Sequence, residues 1–130
     1  MTACVIDSSA ILAFVFGEAG SDATSDWLDR GAAASTVILQ EVATKLRQRG
    51  FTPKDAAETI DVLGLTVADH TLLLALAAAG LYAGTRTHGL SHGDRSCLAL
   101  AQAMGLPVVT ADKAWSEVGK VVEVAVEQVR

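Results

Sequence analysis

The chain has 130 residues, a length that fits one domain around one core. Hydrophobic residues make up 51% and charged residues 19%, which excludes a disordered chain. A formal net charge of −5 argues against gripping nucleic acid by bulk positive charge, but not against an enzyme acting on nucleic acid through a bound cation.

Ala3 to Ile6 reads as a buried parallel strand that runs into a single carboxylate, Asp7. Ser8 or Ser9 suits the cap of the next helix, about Ser9 to Phe16, which Gly17 ends. Ser21 to Arg30 reads as a second helix stopped by Gly31, and Ala32 to Ser35 as a short strand. A helix then opens at Ser35 or Thr36 and runs through Arg49, with Ile38, Val42 and Leu46 as its apolar stripe. Pro53 sits at a favoured first position for a helix reaching Leu63. Leu65 to Ala68 reads as a strand, His70 to Ala83 as a strongly apolar helix, and Gly84 to Leu90 as a loop. Ser91 to Met104 is a helix closed by Gly105, and Pro107 to Thr110 an apolar strand. Ala111 to Val118 holds a short helix or turn. Val121 to Val126 is the last strand, placed at an edge by Glu123 and Glu127.

Short apolar strands alternating with helices predict an α/β fold, a parallel sheet covered on both faces, as one domain over residues 1–130. Cys4 and Cys97 lie in apolar surroundings without a Cys-x-x-Cys spacing, the pattern of reduced intracellular thiols. Leu72 to Ala83, the longest uncharged apolar stretch, is too short for a bilayer, and the N-terminus lacks a signal-peptide pattern. A soluble cytoplasmic protein is the expectation.

Four acids stand where a parallel sheet would gather them. Asp7 ends the first strand, Glu41 lies in the first turns of the third helix, Asp94 opens the Ser91 helix, and Asp112 follows Thr110 by two residues. All four positions belong to one edge of the sheet, where open α/β folds bind ligands. Each acid has a plainer explanation: Asp7 and Asp112 as helix caps, Asp94 with Ser91 as a capping box, Glu41 as a solvated helix residue. Capping does not require all four to face one crevice, whereas metal binding does. Carboxylates crowded together raise each other's pKa and stay ionised only beside a cation. Oxygen ligands without clustered histidine or cysteine select Mg2+ or Mn2+.

Val5-Ile6-Asp7-Ser8-Ser9-Ala10, Glu41-Val42, Leu90-Ser91-His92-Gly93-Asp94-Arg95-Ser96-Cys97-Leu98-Ala99 and Thr110-Ala111-Asp112 together resemble the PIN-domain nucleases. Within them the chain is most similar to the VapC-type toxins of toxin–antitoxin pairs. The Ser-x-Gly-Asp-Arg segment is the most specific piece, and the resemblance covers nearly the whole chain. It implies a three-layer α/β/α sandwich and a Mg2+- or Mn2+-dependent endoribonuclease. It also implies an RNA substrate, a homodimer and a VapB-type antitoxin that blocks the site. Asp7, Glu41, Asp94 and Asp112 map onto the family's acidic quartet, as catalytic and metal-binding residues, and Thr110 onto a supporting hydroxyl.

Arg86, Arg95 and Lys113 are candidates for RNA phosphates or for solvated surface cations, and the basic cluster Lys45, Arg47 and Arg49 for RNA contact or for a helix end matched to its dipole. Part of the apolar faces around Ile38–Leu46 and Ala56–Leu63 is expected to offer the antitoxin a helix groove, with a basic antitoxin side chain reaching Asp7, Glu41 and Asp94; the competing reading is that the core consumes these faces wholly. Two other readings compete. A phosphoaspartate protein of the haloacid-dehalogenase type resembles Asp-x-Asp where this chain has Ser9 in the second position, and a receiver domain brings an acidic pair before its first strand. The other competitor is a PIN-like module kept only for interaction.

Overall fold

A computed structural model describes residues 1–130. Five strands form one sheet in the order β3-β2-β1-β4-β5, and every neighbouring pair is parallel. The strands are β1 Cys4–Ile6, β2 Ala32–Ser35, β3 Thr66–Ala68, β4 Val108–Thr110 and β5 Val126–Gln128. Helices α1 Ser8–Val15, α2 Ser21–Arg30, α3 Thr36–Gln48, α4 Pro53–Asp61, α5 Leu72–Gly80, α6 Tyr82–Thr85, α7 His92–Met104 and α8 Trp115–Val122 flank it. The result is an α/β/α sandwich with a central parallel sheet.

The middle strands are short, apolar and fully covered, as a parallel sheet between two helical layers requires. In β2 this is done with Ala32, Ala33 and Ala34, all buried. Beside them Ile38, Val42 and Leu46 of α3 and Leu98 of α7 fill the core. The α3 face expected to line an antitoxin groove is therefore consumed: Ile38, Val42 and Leu46 are completely covered, and Ala56 and Leu63 are buried as well. The α3 half of that expectation is overturned, because the 3.6-residue stripe points at the sheet, whereas beside α4 Ala57 is exposed, Ile60 half-buried and Val62 80% exposed.

Two stretches near the end of the chain differ from the sequence expectation. Trp115, Val118 and Val122 recur at helical spacing and are buried, so α8 extends through Val122. Glu123 then ends it in the left-handed region, φ 58°, and the last strand begins only at Val126. The apolar helix after His70 also breaks, at Leu81, and α6 occupies the start of the expected loop.

Strand order reverses beside β1. The chain leaves β1 toward β2 and β3, then returns on the other side to β4 and β5. A crevice opens at such a reversal, beyond the carboxyl ends of the strands. Here it lies between β1 and β4, where the Asp7 amide donates to Val109 O at 3.1 Å.

Candidate active site

Asp7 leaves β1 at that seam and is itself the N-cap of α1, accepting from the Ala10 amide at 3.1 Å. The expected serine caps do other work. Ser9 Oγ donates to Asp7 Oδ1 at 2.8 Å and accepts from the Ala111 amide at 2.9 Å. Ser8 Oγ donates to Glu41 Oε2. Thr110 Oγ1 donates to Asp7 Oδ2 at 2.8 Å and accepts from the Asp112 amide at 3.0 Å. Hydroxyls thus tie Asp7 to β4 and to the segment carrying Asp112. The sequence reading missed Ser8 and Ser9, although they directly follow the acid.

The other three acids arrive from two helices and a loop. Glu41 is half-buried on α3. Gly93 in the first turn of α7 leaves room beside it: a β-carbon at Gly93 would lie 3.7 and 3.8 Å from the two Glu41 carboxylate oxygens. Asp94 completes a capping box with Ser91, accepting the Ser91 amide on Oδ2 at 3.0 Å. Asp112 is exposed after β4 and accepts the Ala114 amide on Oδ1 at 3.0 Å. Capping and convergence therefore coexist. Each of these three carboxylates keeps one oxygen without a protein hydrogen bond.

The electrostatics record the crowding. Burial pushes the Asp7 carboxyl up to about 6, against the downward pull of Ser9, Ala10 and Thr110, and Asp94 raises it further. Asp94 is raised too, by burial first, with Glu41 and Asp112 adding to the rise. Asp94 thus acts on Asp7 and is acted on by Glu41 and Asp112, which links the four acids into one electrostatic group. Beneath them Cys97 is a neutral thiol, raised first by its burial and then by Asp7 and Asp94.

No lysine or arginine neutralises this group. The two salt bridges of the molecule, Lys54–Glu58 and Lys120–Glu117, lie elsewhere. Arg95 is engaged internally, donating to Thr85 Oγ1 and Leu90 O and lying over the Tyr82 ring. Of the basic cluster, Arg47 donates to Phe51 O and Arg49 covers the Phe16 ring. Arg86 and Lys113 are exposed. Trp115 packs in the core, and Trp27 stacks under Arg30.

Unpaired negative charge, an all-oxygen donor set and free carboxylate oxygens suit a hard divalent cation. No three acidic, histidine or cysteine side chains close into a ready-made cage.

Comparison with known proteins identifies the fold. A model of the PIN domain matches residues 4–121. No curated protein matches the sequence. Among solved structures, the DNA-bound VapBC of Salmonella typhimurium is similar, with a TM-score of 0.74 at 16% identity over 100% of both chains. The Mycobacterium tuberculosis VapC20, described as a sarcin-ricin loop cleaving toxin, gives 0.74 at 18% identity over 90% of this chain and 95% of that one. A toxin–antitoxin complex from Klebsiella pneumoniae gives 0.72 at 16% identity over 98% of both. At such identities the structures show a shared fold. The family match spans both acid-bearing ends of the seam, Asp7 and Asp112, and all four acids fall inside it. The chain belongs to the PIN-domain family.

Proposed function

We propose that the protein is a Mg2+- or Mn2+-dependent endoribonuclease and the toxin of a VapBC-type pair. The observation that carries this reading is the set of four acids at the β1–β4 seam with no cation beside them, in which Asp7 is only 3% exposed and Asp7 and Asp94 are both raised. Asp7, Glu41, Asp94 and Asp112 would hold the metal, whose positive charge lowers the pKa of water and stabilises a phosphate under attack. Asp7, locked by Ser9, Ala10 and Thr110, would fix the geometry, while the oxygens of Glu41, Asp94 and Asp112 that make no protein hydrogen bond would be left for the cation or its waters. The fold likeness to VapBC complexes and to an RNA-cleaving toxin supports the same reading. Purified protein is expected to cut RNA with Mg2+ or Mn2+ and to stop with a chelator. Asp7→Asn keeps an oxygen for the Ala10 cap and the Ser9 hydroxyl and turns its amide toward Thr110 Oγ1, which then accepts, so it should stay folded and lose at least about 100-fold in rate, the scale of a lost charge-stabilising group. Unchanged cleavage by that variant removes Asp7 from the mechanism, and metal-independent folding with no RNA cleavage at all supports a pure interaction module.

The partners proposed are an RNA substrate and a cytoplasmic VapB-type antitoxin that neutralises the acids with a basic side chain. A short neighbouring gene for a small DNA-binding protein is the observation that tests the antitoxin. A second copy of this chain is proposed on α5. Leu72, Leu73 and Leu76 are 74%, 80% and 63% exposed, while Ala75, Ala78 and Ala79 line an adjoining groove of about 610 Å3. Knobs and groove on one uncharged helix are self-complementary, as a two-fold interface requires. Two chains of net charge −5 meet best on such a face.

A further inference from the structure

Asp112 is exposed and stands on the short link between β4 and α8, where little packing holds it. Three successive carbonyls there are instead held from β5 and the residues after it. Thr110 O accepts from the Val129 amide at 3.0 Å, Asp112 O from Gln128 Nε2 at 2.9 Å, and Ala111 O from Arg130 Nε at 3.3 Å. The first bond is ordinary strand pairing. The other two are side-chain bonds that pairing does not demand. Gln128 Nε2 also reaches Ser116 Oγ at 3.2 Å, and Arg130 Nη1 reaches Ala19 O at 3.4 Å, so the link is tied to α8 and to the α1–α2 connection.

The seat for this strand is built into two other elements. A β-carbon at Gly20, whose φ is +98°, would stand 2.9 Å from Val129 Cγ2. One at Gly119, inside α8, would stand 2.5 Å from Val126 Cγ2. Only glycine lets the strand lie this close. The family match ends at residue 121, so Gln128 and Arg130 lie outside it.

We infer that Gln128 and Arg130 are positioning residues for Asp112: their side chains clamp the backbone from which the fourth acid projects and so set its reach toward the cleft. The inference rests on the reading of Asp112 as a metal-binding acid. Its structural half does not, because the Asp112 and Ala114 amides report the link directly through their bonds to Thr110 Oγ1 and Asp112 Oδ1.

The test uses the full chain with Gln128→Ala, and with Gln128→Ala plus Arg130→Ala, each also in an Asp112→Asn background. Amide hydrogen exchange and a calorimetric Mn2+ titration are read. Exchange at Asp112 and Ala114 should quicken while Val108 and Val109 keep their protection. The Mn2+ dissociation constant should rise about tenfold, the usual cost of losing a residue that orients a ligand. In Asp112→Asn the clamp changes should cost nothing more. Unchanged exchange at Asp112 and Ala114 overturns the clamp. An equal Mn2+ loss with and without the Asp112 carboxylate overturns the route through Asp112. If Asp112→Asn alone binds Mn2+ like the parent, the metal role of Asp112 fails, and exchange still decides the clamp. Gln128→Ala alone removes bonds on one partly exposed side chain, so a folded variant is at hand.

Discussion

Asp7 shows at the scale of one residue what the site costs. Its unfolded carboxyl titrates near 3.8 and its folded carboxyl near 6, because burial outweighs three stabilising hydrogen bonds. Between those values the folded chain holds more protons than the unfolded one, so stability falls as pH rises through the window. Metal-free protein should therefore be about 1 kcal/mol more stable to denaturant at pH 5 than at pH 7 from this residue alone. Asp94 shifts in the same direction and adds to it. Asp7→Asn should remove most of the difference by gaining stability at pH 7. Equal stability of the parent at both pH values would contradict the raised pKa.

At the scale of the element, α5 carries the most exposed apolar surface of any helix. Leu73→Glu with Leu76→Glu places two charges on that face while touching no buried side chain. The parent should sediment as a dimer and the variant as a monomer of unchanged helix content. A parent that is monomeric at all concentrations removes α5 as an interface. Elements of this kind were legible in sequence as far as their chemistry was local. β2, α3 and α7 follow from caps, glycine stops and apolar spacing, and the acids follow from their places at strand and helix ends. What escaped depended on distant partners. Val121 and Val122 read as strand until Trp115 and Val118 supply the helical stripe beneath them. Ser8 and Ser9 read as caps because their true partners, Glu41 and Ala111, lie 33 and 102 residues away. The α3 stripe was read correctly as apolar, but spacing does not say whether a core or a partner covers it.

The whole molecule is built so that four like charges are pressed together by the sheet and both helical layers. A native-state ligand that relieves this stabilises by mass action. Mn2+ should raise the melting temperature and a chelator reverse it. Asp94→Asn should raise the metal-free melting temperature and shrink the Mn2+ shift, since it removes repulsion and a ligand together. A full Mn2+ shift in that variant would show that Asp94 is not a ligand. The seam between β1 and β4 has a further consequence, in time rather than space. Asp7 and Thr110 bond across 103 residues of chain, and the clamp on Asp112 comes later still. At ribosomal rates that separation is roughly ten seconds of synthesis. Throughout that interval the emerging chain carries its first acid without the strand that orients it, so the four acids cannot come together until β4 has been made.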